Sequence, residues 1–324
     1  ALSDADEARI RDCHAAYYTA ALGRWGEELK GHGQLAAIEE VRADVDNART
    51  AWNWAVDGGQ ERVLDSKRVE WIDRAVEGLC LFYTWESHNE EGEAACRRAA
   101  EQLDEAALPL EDGRTSLDGA TRANGLRVLA RALVWQGGFA STLGQSEAAD
   151  RCYERALVAL DHAQQSDPAA DVRRERALLM VRLSGRPWIT DSAKSRQLAE
   201  GGLELYQAVE DRGGMANALS ALAGRFWSQY GLETTRRLRE ESVSLWRSVG
   251  DRRRLASALR MLSYVLDELA QFGEAERAAR ESMGLAQQIG NRAVAEQANY
   301  SLSLALHYGG RFVEARAALK GSPV

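Results

Sequence analysis

The chain of 324 residues carries 41 Lys and Arg against 49 Asp and Glu, a formal net charge of −8, and its arginines alternate with acids instead of gathering in a block; this argues against nucleic-acid binding by this segment. With 45% hydrophobic and 28% charged residues it can bury a long core, while only four Pro among abundant Ala, Leu, Glu, Arg and Gln give a helix-forming composition with no candidate central strand. No apolar run reaches about 18 residues, and the acidic start Ala1–Glu7 is not a signal peptide, so a cytoplasmic protein with no membrane partner is expected.

That start also lacks an initiator Met, which predicts a chain beginning inside a longer polypeptide. Taken in chain order, Gly, Asp, Asn and Pro punctuate stretches of 3.6-residue periodicity into about seven helical hairpins. The first has helices near 4–24 and 35–57, and the second near 66–87 and 89–107. A hydrophilic connection over 108–118 is the longest loop and divides an N-terminal region, 1–107, from a superhelix over 119–324. The third hairpin is expected at 120–143 and 145–164, the fourth at 170–185 and 191–209, and the fifth at 211–229 and 232–249. The last two occupy about 251–289 and 291–320.

The C-terminal hairpins repeat with a period of 40 residues. Asp211, Asp251 and Asn291 each open a unit, followed in phase by Leu222, Leu262 and Leu302, then Phe226, Leu266 and Leu306, then Leu232, Phe272 and Phe312, then Thr235, Ala275 and Ala315. Such self-similarity is the signature of a solenoid in which each unit buries its apolar face against its neighbours. Gly250-Asp251 and Gly290-Asn291 pair a helix-stopping Gly with an N-capping side chain.

Gly137, Ala140, Gly144, Ala149, Tyr153 and Ala156 in the third hairpin, with Leu133, fall at the small and aromatic positions of the tetratricopeptide repeat, which the chain resembles. A period of 40 rather than 34 makes each helix about three residues longer, roughly 4 to 5 Å. The expected fold is therefore all-α, a right-handed solenoid of extended tetratricopeptide-like hairpins. The fourth hairpin departs from the pattern, with Arg182 and Arg186 at apolar positions and Pro187 ending its first helix early.

His14-Ala15-Ala16-Tyr17-Tyr18, the run Asp44 to Ala55 with Trp52 and Trp54, and Trp85 to Glu93 followed by Ala99-Ala100 resemble the arm that follows the ATPase module in STAND-class signal-transduction ATPases. Large LuxR-type bacterial activators are among these. The resemblance implies a sensor arm that receives a peptide, protein or small-molecule inducer and acts on an intramolecular ATPase module. The chain has no Gly-Lys dipeptide and so no P-loop of the usual type. ATP and magnesium are thus expected only in the ATPase portion of a parent protein, and no cofactor in this chain.

The five His residues lie in different hairpins, and no triad is placed by sequence, so no catalytic residue is expected. Cys13, Cys80, Cys96 and Cys152 are far apart in sequence and read as buried free thiols, with no metal site. Glu90, Glu91 and Glu93 beside His88 read as a solvated first turn. Arg252-Arg253-Arg254 reads as a solvated face, with an anion clamp the alternative. The binding candidates come from the first-helix positions facing a concave groove: Trp188, Asn217, Trp227, Arg260, Tyr264, Asp267, Glu268, Tyr300, His307 and Tyr308. Rings supply rigid apolar area there and charges fix orientation. The expected function is a non-catalytic sensor that binds in this groove; the alternative is a constitutive scaffold that joins proteins without switching.

Overall fold

Capping chemistry sets the hairpin boundaries. In a computed structural model of the chain, which describes residues 3–58, 65–107, 118–186, 192–225 and 227–320, the three in-phase openers all cap. Asp211 accepts from Gly214 N at 2.8 Å, Asp251 from Arg254 N at 2.9 Å and Asn291 from Val294 N at 3.0 Å. Each satisfies an amide that the new helix leaves unpaired. Asp65 and Asp118 do the same for Arg68 N and Thr121 N.

The described residues form fifteen helices and no strand. They are α1 (Asp4–Leu29), α2 (Gln34–Asp57), α3 (Ser66–Glu86), α4 (Asn89–Ala107), α5 (Gly119–Thr142), α6 (Ser146–Ser166), α7 (Arg173–Ser184) and α8 (Ser192–Ala208). Next come α9 (Arg212–Arg225), the short α10 (Trp227–Tyr230), α11 (Leu232–Val249), α12 (Arg252–Glu268), α13 (Phe272–Gln288), α14 (Arg292–Tyr308) and α15 (Phe312–Lys320). The all-α solenoid expectation holds, and the expected hairpins fall within a few residues of these helices. The helix expected over 211–229 is in two pieces, α9 and α10. The loop over 108–117, Pro187 and Trp188 lie outside the described residues. The chain groups into two compact units, Ala1–Leu29 with Leu35–Arg182, and Lys30–Gln34 with Leu183–Val324.

Within the first unit, helices approach as closely as missing side chains allow. Gly23 and Gly26 of α1 face α3, where a β-carbon at Gly78 would lie 2.0 Å from the Leu22 carbonyl oxygen. In the next layer a β-carbon at Gly92 would strike the Phe139 ring at 2.5 Å, and one at Gly137 the Tyr153 ring at 2.7 Å. The tetratricopeptide-like set of the third hairpin is the core there: Leu133, Ala140, Ala149, Tyr153 and Ala156 are all at most 2% exposed, and Gly144 takes the left-handed conformation, φ +77°, that closes the turn. Cys80 and Cys96 meet in this core with their sulfurs 3.3 Å apart. Burial pushes the Cys80 thiol well above its usual range, and Cys152 is raised to about 11 for the same reason. Cys13, expected to be buried, is exposed because its side of α1 carries Arg9 and Tyr17, both open to solvent.

In the second unit the pairs α9 with α11, α12 with α13 and α14 with α15 stack in order, each second helix also packing on the next first helix. The first helices α12 and α14 also touch, whereas no comparable contact joins α11 to α13 or α13 to α15 among the described residues. At α12 and α14 the first helices are therefore the more closely spaced, inner wall. Leu222, Leu262, Leu302, Leu266 and Leu306 are buried as their phase predicts. Phe312 departs, at 61% exposed, since no described helix lies beyond α15 to cover it. A repeated polar link ties the pairs: Ser242 Oγ donates to Ala216 O at 2.9 Å and, forty residues on, Ser282 Oγ donates to Ala256 O at 2.7 Å.

The packing predicts large effects from small additions. Gly78→Ala must push α1 and α3 apart, and Ala275→Leu, at a fully buried crossing, must part α12 from α13; each should lower stability by about 1 to 3 kcal/mol. Denaturant midpoints of the two variants measure this, with Gly144→Asn as a milder comparison, since its side chain meets open space and costs only the strain of a left-handed conformation that Asn tolerates better than most residues.

Candidate functional site

Most of the groove candidates lie on the first helices α9, α12 and α14 of the second unit, and those on α12 and α14 divide into two groups. The first lies along α12. Residues 260, 264 and 267 share one helical face at i, i+4 and i+7 spacing. The Arg260 guanidinium sits 5.7 Å from the centroid of the Tyr264 ring, a cation–π distance. Both side chains are half-buried.

One turn on, both carboxylate oxygens of Asp267 are shielded from solvent without a hydrogen-bond partner, as are Arg260 Nε and Gln271 Oε1. Desolvation, reinforced by the negative charge of exposed Glu268, pushes the Asp267 carboxyl up to about 7. Buried polar atoms without partners are uncommon in folded proteins and call for an explanation. Here four of them line one stretch of wall and its turn.

The second group lies at the end of the last two pairs. His307 and Tyr308 do not extend the Arg260–Tyr264 face. Tyr308 stacks on Phe272 with ring centroids 6.1 Å apart, and His307 meets Phe312 edge-on at 5.1 Å. The two candidates thus belong to an aromatic cluster at the hairpin turns. Tyr308 stays 58% exposed and Tyr300 51% exposed. Asn217 is half-buried on α9, Trp227 opens α10, and Trp188 lies outside the described residues.

Two features escaped the sequence reading. In the first unit, Arg127 and Arg131 of α5 each bridge Asp73 of α3 and Glu175 of α7: Arg127 at 2.6 and 2.8 Å, Arg131 at 2.8 Å to Asp73 and in direct contact with Glu175. Glu175 is only 4% exposed. The two opposed charge pairs satisfy one another, and the cluster lies beside a cavity of about 380 Å³ lined by Gly23, Gly78, Arg24, Arg74 and Arg131 among others. In the second unit, Arg239 of α11 is 5% exposed. An i, i+4 spacing on one helix announces a shared face, but charges on three helices far apart in sequence carry no local signal.

Of the charge runs expected to be solvated, Arg252-Arg253-Arg254 is so only in part: Arg252 and Arg253 are half-buried, and burial pulls the Arg253 guanidinium below its usual range. Glu90 and Glu91 are exposed in the first turn of α4, and Glu93 accepts from Gln136 Nε2 at 2.8 Å. Among the described residues no three His, Cys, Asp or Glu side chains form a set able to hold a metal ion, and no helix is long and apolar enough to cross a membrane.

No protein-family model matches the chain, and no curated protein sequence matches it. Solved structures do share its fold. A Rap protein complexed with Competence and Sporulation Factor aligns with a TM-score of 0.56 at 13% identity, over 95% of this chain and 76% of that one. BtubC from P. vanneervenii aligns at 0.54 and 16% identity, over 72% and 89%. Aspartyl phosphate phosphatase F from Bacillus subtilis aligns at 0.50 and 11% identity, over 99% and 74%. At these identities the likeness is one of fold, a helical repeat of tetratricopeptide type.

The state of Asp267 generates a pH prediction. Its carboxyl is at about 7 in the fold against 3.8 ordinarily, so the folded protein holds this proton more tightly than the unfolded chain. Its contribution is fully present below about pH 3.8 and is lost as pH rises through about 7. Asp267→Asn should match wild type near pH 4, become progressively more stable than wild type up to pH 7, and keep a constant advantage above it. Paired chemical denaturation curves across that range measure the difference.

Proposed function

We propose that this chain is a non-catalytic binding module whose second unit receives a peptide, or a segment of a partner protein, along its first-helix wall. The observation that carries the reading is the α12 face: a half-buried ring, Tyr264, beside a guanidinium and a carboxylate whose shielded polar atoms have no partner within the described fold. An extended chain brings both apolar side chains and backbone donors and acceptors, the complement that such a face lacks. The fold likeness supports the reading, since one of the similar structures, a Rap protein, is itself a complex with Competence and Sporulation Factor.

The finer proposal is a sensor arm of a STAND-type signalling ATPase, supported by the sequence motifs around His14–Tyr18, Asp44–Ala55 and Trp85–Glu93. In that reading occupancy of the wall is passed to an ATPase module of the parent, and a scaffold without switching is the rival.

A random peptide display library panned on the purified chain tests the binding reading. Peptides selected on wild type should lose about thirtyfold or more in affinity with Tyr264→Ala, the usual effect of removing a central aromatic anchor, and nothing with Arg277→Ala on the outer helix α13. Selected peptides that ignore Tyr264→Ala and are lost with Tyr17→Ala, an exposed ring of the first unit, would overturn it.

A further inference from the structure

The repeat register isolates one residue that the groove candidates did not include. At steps of forty along the second helices stand Ala199, Arg239, Ala279 and Leu319. Ala199 and Ala279 are fully buried, as a small residue at a helix crossing should be. Arg239 fills the same structural position with a long charged side chain, and it too is buried, 5% exposed.

Its guanidinium reaches from α11 toward the first-helix wall. A β-carbon on Gly224, the exposed residue near the end of α9, would lie 3.0 Å from Arg239 Nη2, so the absence of a side chain there is what admits the group. Burial, with the positive charge of Arg260 on α12 added to it, pulls the Arg239 guanidinium down to about 10, which leaves it charged at neutral pH. No carboxylate among the described residues pairs with Arg239. Glu240, the next residue, is held by Arg236 at 3.2 Å, and Asp267, on the same α12 face as Arg260, has both oxygens without a hydrogen-bond partner and so pairs with neither guanidinium. Arg239 Nε and Arg260 Nε are both shielded and unsatisfied.

A guanidinium that is 5% exposed, has no acid partner and feels the charge of a second guanidinium is unstable where it stands. A buried charge without a partner destabilises a fold by several kcal/mol, and the remedy that matches guanidinium geometry is an oxyanion held by parallel N–H donors. We infer that Arg239, admitted by bare Gly224 and backed by the charge of Arg260, forms a receptor for one oxyanionic group, a carboxylate or phosphate, carried by the ligand of the first-helix wall. The inference rests on the binding reading above and adds to it the chemical class of one ligand group. It also accounts for the occurrence of Arg at a position that three other repeats fill with Ala or Leu.

Thermal melting of the full chain tests it, with inorganic phosphate and sodium acetate as probes, each against sodium chloride at equal ionic strength. Wild type should melt about 2 °C or more higher with tens of millimolar of at least one probe. Arg239→Met should melt at or above wild type in chloride and show no probe-specific rise. A response to acetate alone identifies a carboxylate as the ligand group, and one to phosphate alone a phosphate. No rise with either probe in wild type, or an equal rise in Arg239→Met, overturns the site, the latter because it marks a general salt effect. If Arg239→Met does not fold, Arg260→Gln takes its place, and broadening of the ³¹P or acetate methyl resonance by wild type but not by Arg260→Gln supports the site, while equal linewidths overturn it. Display-selected peptides that need Tyr264 yet bind Arg239→Met at full affinity would remove the oxyanion site and leave the binding reading intact.

Discussion

The fold depends on how near one helix backbone can come to the next. At Gly78 the gap to the Leu22 carbonyl leaves no space for even a methyl group, and at Gly92, Gly137 and Gly214 an aromatic ring from a neighbouring helix occupies the place a side chain would take. Ring-on-glycine contacts of this kind give each helix pair a large apolar area at short separation, where dispersion is strongest. They also fix the rotation of each helix about its axis, because only one face is bare.

Local chemistry made much of this readable from residues alone. The caps at Asp211, Asp251 and Asn291 act through amides three positions away, so a recurrence in the sequence is a recurrence in the structure. The same holds for the leucines of the inner stripe, whose burial follows from a period of 3.6 within a period of 40. The serine links of Ser242 and Ser282 to carbonyls 26 residues upstream were equally periodic, yet a serine gives no hint of whether its hydroxyl faces water or a neighbouring helix. Contacts between distant segments had no signature: the meeting of Cys80 with Cys96 and the knot of Asp73, Arg127, Arg131 and Glu175 depend on packing of helices whose relative rotation the sequence does not state.

The candidate site shows the same division at finer scale. Phase placed Arg260, Tyr264 and Asp267 on one face because a single helix carries all three. It also put His307 and Tyr308 on the wall, whereas the end of α14 bends their rings into company with Phe272 and Phe312. Positions near a helix end belong as much to the turn as to the face. Arg239 was visible as a charge in an apolar column, but a surface arginine of an amphipathic helix looks identical until the neighbouring glycine is seen to make room for it.

The cysteines give the first unit a built-in clock. Cys13 stands in solvent while Cys80 and Cys96 lie sealed between α3 and α4, and burial disfavours the Cys80 thiolate. Alkylating reagents attack the thiolate, so Cys13 is modified at once and the inner pair only when α3 and α4 separate. Where alkylation outpaces reclosing, the interval between the two events is the lifetime of the closed hairpin, written into the protein without any label having to be introduced.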